Sequence, residues 1–248
     1  VFLVKKTEVK NTGDMMQMRK IFKHDPVDLG YADLITESTD QGRRYVTPEG
    51  FKYPSITTVL GHFTKHEILA WRKRVGEAEA NKISARASGR GTSLHTICER
   101  YIDNEEDYFG EAMPHVRGMF NSIKPILDER IGVVYMQEVP LYSNFLRLAG
   151  RVDLIAEFDG VPSIIDFKTS SRIKTAESIT DYYEQESAYA IMYEERTKKP
   201  IVNLVTIMAV ENSSEPLVFK EHRDNHVGNL IHKIRSYEKE KGISYASK

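Results

Sequence analysis

The stretch GRVDLIAEFDGVPSIIDFKTS (residues 150–170) decides how the chain folds. Two apolar runs flank Asp159-Gly160, and Asp-Gly between such runs is a strong short-range hairpin signal. With a two-residue loop, Phe158 faces Val161, and counting back along both strands sets Asp153 opposite Asp166. Directly opposed residues share a sheet face, with Cβ atoms about 4.5–5.5 Å apart. Lys168 falls on the Asp166 face because strand side chains alternate, and its Cα lies about 6.5–7 Å further along. The same count sets Arg151 opposite Lys168.

Two opposed carboxylates repel and destabilise a sheet unless something offsets their charge. A divalent cation held by both would do so, and oxygen ligands suit Mg²⁺ or Mn²⁺. The alternative is an Asp left exposed at a strand end, or a register moved by a bulge near Pro162. The pairing, the adjacent lysine and the apolar flanks favour the cation. Arg151 and Lys168 concentrate positive charge beside the acids, as a phosphodiester substrate requires.

Outward from the hairpin, the order of elements is α-β-β-β-α-β with added helices. VVYMQEVPLYS precedes the hairpin as a strand, ITDYYEQESAYAIMYEERT follows it as a helix, and KKP ends that helix. IVNLVTIMAV is almost wholly apolar and reads as a strand buried on both faces. The long return through a helix predicts a mixed sheet covered by helices. A charged helix, residues 225–241, closes the chain.

Upstream, TESTDQGRRYVTPEGFKYPS reads as a hairpin turning at Pro48-Glu49-Gly50, and DMMQMRKIF as a short helix or strand. SITTVL offers helix N-caps. Residues 65–86 form a helical stretch with Ile68, Trp71, Val75 and Ala78 at helical spacing, and SGRG (residues 88–91) is expected to break it. A new helix, TSLHTICERYID, follows, then HVRGMFNSIKPILDERIG, where Pro125 is a kink candidate. The expected organisation is an N-terminal extension over residues 1–52 and one domain over residues 53–248.

Composition narrows the function classes. With 248 residues, 40% hydrophobic, the chain can bury a sizeable core. The net charge of −1 gives no global basic signature, so nucleic-acid binding requires a local basic surface. Arg72, Lys73, Arg74, Lys82, Arg86, Arg90 and Arg151 are the candidates, although several of these can simply solvate a helix face. The single cysteine, Cys98, rules out a disulfide framework and an all-cysteine metal site. No apolar run approaches the ~18 residues of a membrane span, and the N-terminal apolar run is too short for a signal peptide. A soluble intracellular protein, cytoplasmic or organellar, with no membrane partner, is expected.

Two helices carry residues that suit the hairpin chemistry. His95 and Glu99 lie one turn apart on one face, compatible with metal ligation, although Glu99 can equally pair with Arg100 or Lys82. Gln185 and Tyr189 also share a face, either packing on the sheet or contacting substrate at a site rim. Ser55, Thr57 and Thr58 at a helix start can grip a phosphate or merely cap the helix.

An Asp in one strand followed by Asp-Phe-Lys in the next resembles the PD-(D/E)xK nuclease motif. GTSLHTICE before it and QESAY after it resemble the helix histidine and Gln-x-x-x-Tyr motifs of the RecB-type branch. YPSITTVL with LAWRKRVGEAEANKISARASGRGTSLH is similar to the mitochondrial genome-maintenance exonuclease group and its bacteriophage relatives. The similarity spans about residues 53–210, and the four motifs in order are specific together. One departure is AGR, rather than proline, before Asp153.

The resemblance implies an α/β fold, with a mixed central sheet and a restriction-endonuclease-like αβββαβ core. It implies a metal site of Asp153, Asp166, His95 and the Phe167 carbonyl, with Glu99 for a second ion. Lys168 would hold the attacking water and stabilise charge on the phosphate, and Gln185 and Tyr189 would support site and strand. Ser55, Thr57 and Thr58 match a Pro-Ser-hydrophobic-Thr segment that would grip backbone phosphate, and Arg72, Arg86, Arg90 and Arg151, from the basic candidates above, would add a phosphate-tracking surface. The implied activity is a Mg²⁺- or Mn²⁺-dependent DNA exonuclease acting on single-stranded or end-containing DNA in replication, repair or recombination. Its competitors are a structure-specific endonuclease of the same fold and a non-catalytic nucleic-acid-binding module.

Overall fold

The computed structural model describes residues 19–243. The Asp159-Gly160 hairpin is formed by β5 (Leu148–Phe158) and β6 (Val161–Ser170). Both turn residues have positive φ, 53° and 77°, as a tight primed turn requires. Asp159 is also fastened from outside. Arg130 donates to its carboxylate at 2.9 and 2.7 Å, Lys220 forms a further ion pair, and both cations lie over the Phe158 ring. Pairing runs from Phe158↔Val161 to Leu154↔Ile165 in the counted register, with no bulge at Pro162.

The ladder then stops, one pair short of the two aspartates. From there β5 pairs with β4 (Ile131–Ser143), apart from an isolated bridge between Ala149 and Ser55, and β6 continues along β7 (Asn203–Val210) in parallel. The strands therefore fork at Asp153 and Asp166. Arg151 sits across from Pro140 of β4, not opposite Lys168, because the fork has already carried β5 away from β6.

The complete sheet has the order β4-β5-β6-β7-β8, where the edge strand β8 (Leu217–His222) had no counterpart in the sequence reading. All neighbours are antiparallel except β6 and β7, which are joined through α4 (Thr180–Thr197). The mixed sheet predicted from the helical return is present. β7 is buried from Leu204 to Val210, as its unbroken apolar run requires.

Helices cover both faces. One core joins Leu154, Ile165, Phe167, Val205 and Ile207 to α2 (Glu77–Ile102) and α3 (Pro114–Arg130), through Leu94, Ile97, Tyr101, Phe120 and Ile123. The other joins Val152, Ile155, Ile164, Leu204 and Met208 to α1 (Ile56–Val75), α4 and α5 (Val227–Glu240). Pro125 lies inside α3. No helix among the described residues is long and apolar enough to cross a membrane.

Two helix boundaries differ from the expectation. SGRG does not break the chain: α2 runs through it, and Gly91 sits close to Thr169 of β6, 3.9 Å from the position a Cβ would take. The break is Gly76, at φ 87°, a conformation that favours glycine. The helical spacing at Ile68, Trp71 and Val75 is borne out by α1, but it does not mark the buried face. α1 buries Ile56, Val59 and Leu60, while Ile68 and Leu69 are exposed.

The N-terminal region packs onto this framework. A three-stranded sheet, β1 (Ile35–Thr39), β2 (Gly42–Val46) and β3 (Lys52–Pro54), includes the expected turn around Pro48-Glu49-Gly50. Its Tyr45 and Tyr53 pack with Tyr142 and Ala149. Phe22 is buried with α2 and α3, and Val134 exchanges backbone hydrogen bonds with Lys23 and Asp25. Residues 14–18 of the DMMQMRKIF segment lie outside the described residues, and the rest is not helical.

The turn geometry has a direct consequence for stability. Gly160→Val forces a β-branched residue into the left-handed region and should cost about 1–2 kcal/mol. Asp159→Asn keeps a residue tolerant of that region and loses only exposed ion pairs, and should cost less than about 1 kcal/mol. Thermal unfolding followed by circular dichroism should show the larger drop for Gly160→Val; equal drops would mean that the turn conformation is not limiting.

Candidate active site

The fork creates an unpaired backbone amide, and Asp153 satisfies it. Phe167 N–H donates to Asp153 Oδ2 at 2.8 Å, so the carboxylate takes the place of a ladder carbonyl. The Phe167 carbonyl turns to α2 and accepts from His95 Nε2 at 2.7 Å. Because a carbonyl can only accept, Nε2 carries the proton, and Nδ1 faces the acids: 3.5 Å from Asp153 Oδ1 and 3.9 Å from Glu138 Oε1.

Glu138 was not singled out from the sequence. It lies in β4, and the pairing on either side, Gln137↔Leu154 and Val139↔Val152, makes it the counterpart of Asp153. Its φ of 50° is unusual for a strand residue, and the pair is absent from the ladder. The irregularity coincides with a change of side in β5. Val152 and Ile155 face the same core, which strict alternation forbids. The one usable signal was an acidic residue in VVYMQEVPLYS, a strand that is otherwise largely apolar. The backbone turn that aims it at Asp153 has no sequence signature.

His95, Glu138 and Asp153 bring potential ligand atoms within 4.8 Å of one another. One imidazole and two carboxylates form a donor set that could hold a divalent cation. Asp166 stands on the other branch of the fork. Its Oδ2 contacts the Lys168 ammonium, and its Oδ1 accepts from Gln185 Nε2 at 3.2 Å. The Gln185 amide also reaches the Tyr189 hydroxyl at 3.2 Å. Gln185 and Tyr189 are both buried, beneath the site. Tyr189 can lie that close to the sheet because residue 150 is glycine; a Cβ there would come within 2.7 Å of the ring. Lys168 Nζ is itself 5.0 Å from the centroid of the Tyr182 ring.

Burial makes these charges interdependent. It pushes Asp166 up to about 6, with Asp153 adding to the rise and Lys168 opposing it. Burial also resists ionisation of Asp153, but His95, Lys168 and the Phe167 amide outweigh it and hold the group below its ordinary value. Glu138 rises to about 7 through burial and the charge of Asp153. Burial opposes a charged His95, yet Asp153 and Asp166 carry it to about 9. Lys168 is raised in turn, its burial overcome by Asp166 and Asp153. The site thus concentrates acids that only cations make tolerable, and the imidazolium and ammonium already serve in that role.

The remaining predicted residues are more dispersed. Glu99 lines an open cleft with His95, Thr96, Glu138 and Arg43, and its carboxyl is raised by burial and by Asp103. Ser55 caps α1, accepting from the Thr58 amide at 3.0 Å, and its hydroxyl contacts those of Thr57 and Thr58. Thr58 also accepts the Arg43 amide, tying α1 to β2. Arg72 is engaged with Glu77 and Asn81 beside the α1–α2 break. Arg86 and Arg90 converge on Glu211. Arg151 reaches Asp33 and the Glu138 carbonyl.

A family model described as the PD-(D/E)XK nuclease superfamily matches residues 66–226, more than half of the chain. Mitochondrial genome maintenance exonuclease 1 of Mus musculus is 26% identical over 129 residues, covering 49% of this chain and 38% of that protein. The chain thus spans less than half the length of that relative.

If His95, Glu138 and Asp153 act together on a cation, Glu138→Gln should weaken Mn²⁺ binding by at least about tenfold, a loss that even outer-shell partners of a metal can produce. Glu99→Gln should have the smaller effect. Electron paramagnetic resonance of free Mn²⁺ measures both; equal affinities for wild type and Glu138→Gln would remove Glu138 from the site.

Proposed function

Since the chain belongs to the PD-(D/E)XK nuclease superfamily, whose members use divalent metals, we propose that it is a Mg²⁺- or Mn²⁺-dependent DNA exonuclease hydrolysing phosphodiester bonds in single-stranded or end-containing DNA. The observation that carries this reading is the Asp153–Asp166–Lys168 set at the strand fork, with His95 and Glu138 beside it. The named activity of the murine relative supports the exonuclease choice.

His95, Glu138 and Asp153 would hold the cation, with Asp166 and the Phe167 carbonyl adjoining. When bound, a divalent cation polarises a phosphoryl oxygen and lowers the pKa of water at the site. The protein's own residues provide the rest. Asp166 anchors the Lys168 ammonium, and Lys168 positions the attacking water and offsets charge on the phosphate. Gln185 and Tyr189 hold Asp166 from beneath as positioning residues. His95 fixes the Phe167 carbonyl through Nε2. In-line attack then leaves a 5′-phosphate on the product, and a local basic surface admits single strands without sequence readout.

Asp166→Ala and Lys168→Ala should each reduce Mg²⁺- or Mn²⁺-dependent cleavage of linear single-stranded DNA by at least about a hundredfold. Full activity in Asp166→Ala would overturn the site. Circular single strands of the same sequence should resist digestion by the wild-type protein. Their cleavage would replace the exonuclease by an endonuclease of the same fold.

A further inference from the structure

Beyond Lys168 the strand β6 runs into a second pocket that the catalytic residues do not use. It has a volume of about 460 Å³, and Thr169 and Ser170 form part of its wall. Trp71 and Arg74 reach it from α1, Arg90 from α2, Arg172 and Lys174 from the loop after β6, and Tyr182 from α4. Four of its residues are cations and none is an acid. The cleft on the far side of Gly91 has the opposite character, with Glu99, Glu138 and His95 on its wall.

One cation of the pocket, Arg90, is built into the fold, while Arg74 and Arg172 are exposed at its mouth and Lys174 is half-buried. Arg90 is only 7% exposed, and Glu211 holds it by an ion pair at 2.8 Å. Glu211 is fixed in turn, its amide donating to the Ser170 carbonyl at 2.8 Å. The Arg90 Nε is nevertheless buried without a hydrogen-bond partner, a costly arrangement for a guanidinium. Arg74, Arg172 and Lys174 have no carboxylate in ion-pairing reach among the described residues. A group that brings anionic oxygens would give Arg74, Arg172 and Lys174 a counter-charge beside the Arg90–Glu211 pair. Trp71 and Tyr182 are half-buried in the same wall, and Tyr182 also lies against Lys168. Cations with aromatic rings are the combination that binds the backbone and bases of a single strand.

We propose that this pocket is the subsite for the nucleotide next to the cleaved bond, its cations taking a phosphate of the strand and its two rings the base. The inference rests on the nuclease reading and adds the residues that place the strand. The phosphate can be the terminal group of a strand end or an internal phosphodiester, and the chemistry of recognition is the same for both.

Binding measured without cleavage tests this. Fluorescence anisotropy of a short labelled single strand is followed in EDTA over a range of salt concentrations. The variant Arg172→Ala/Lys174→Ala changes two loop side chains outside the core. It should bind more weakly, and the slope of log affinity against log salt should become shallower by about 0.7 for each cation that contacts phosphate. Trp71→Ala should lose roughly 5- to 150-fold at unchanged slope, the equivalent of one stacked base. Strands carrying a 5′-phosphate, a 3′-phosphate or neither identify the source. A preference for one phosphorylated end that disappears in the double variant marks a terminal phosphate, and indifference to the ends with a shallower slope marks an internal one. Unchanged affinity and slope in the double variant, with a wild-type protein that binds and cleaves, would overturn the subsite alone. A wild-type protein that neither binds nor cleaves single strands would overturn the nuclease reading with it.

Discussion

The amide of Phe167 donates its hydrogen bond to a side chain, and that substitution organises the centre of the molecule. Had β5 and β6 stayed paired, a carbonyl of β5 would accept that hydrogen bond and the two strands would close on each other. Instead the Asp153 carboxylate accepts it, which allows the strands to part without orphaning a buried donor. The gap receives α2 through His95 and the Phe167 carbonyl, and β4 through Glu138. One hydrogen bond thus lets a continuous sheet open just where acids from three strands must meet.

The electrostatics follow from that opening. Asp153, Asp166 and Glu138 cannot all be charged in a buried space without counter-ions, and burial alone would neutralise them. His95 and Lys168 come from different elements and face different acids, so charge is balanced on both branches of the fork. On the Lys168 side, Glu186 is also fully buried. Its carboxyl contacts Thr206, and burial, with the charge of Asp166, pushes it well above the ordinary carboxylate range. The site is held by compensation between elements far apart in sequence.

Much of this was legible in residues 150–170, because hairpins are local. Asp159-Gly160 specifies its turn, and the turn specifies the register for five pairs. The end of that pairing was not legible, since it depends on competition for β5 by β4. Glu138 was missed for the same reason: its position depends on a backbone reversal in φ that no side chain announces. The continuity of α2 through SGRG illustrates the reverse error. Glycine weakens a helix, but here helix α2 packs on the sheet through Leu94, Ile97 and Tyr101, so tertiary contact prevails. The β8 edge strand, LVFKEH, shows mixed polarity on a half-exposed edge and offers little pattern to read.

Helix α4 buries every residue from Tyr183 to Ala190, including Glu184, Gln185, Glu186 and Ser187. A helix with an outward face can accumulate substitutions there without disturbing its inward contacts. This segment has no such reserve over two turns, so its sequence must satisfy packing and polar pairing together. Apolar replacement of its buried acids would favour a more stable protein by removing desolvated groups, but the surroundings of Asp166 and Lys168 would change with it. Stability and the polar surroundings of the fork are therefore in tension along α4, and selection for heat resistance would draw the helix away from the sequence that those surroundings require.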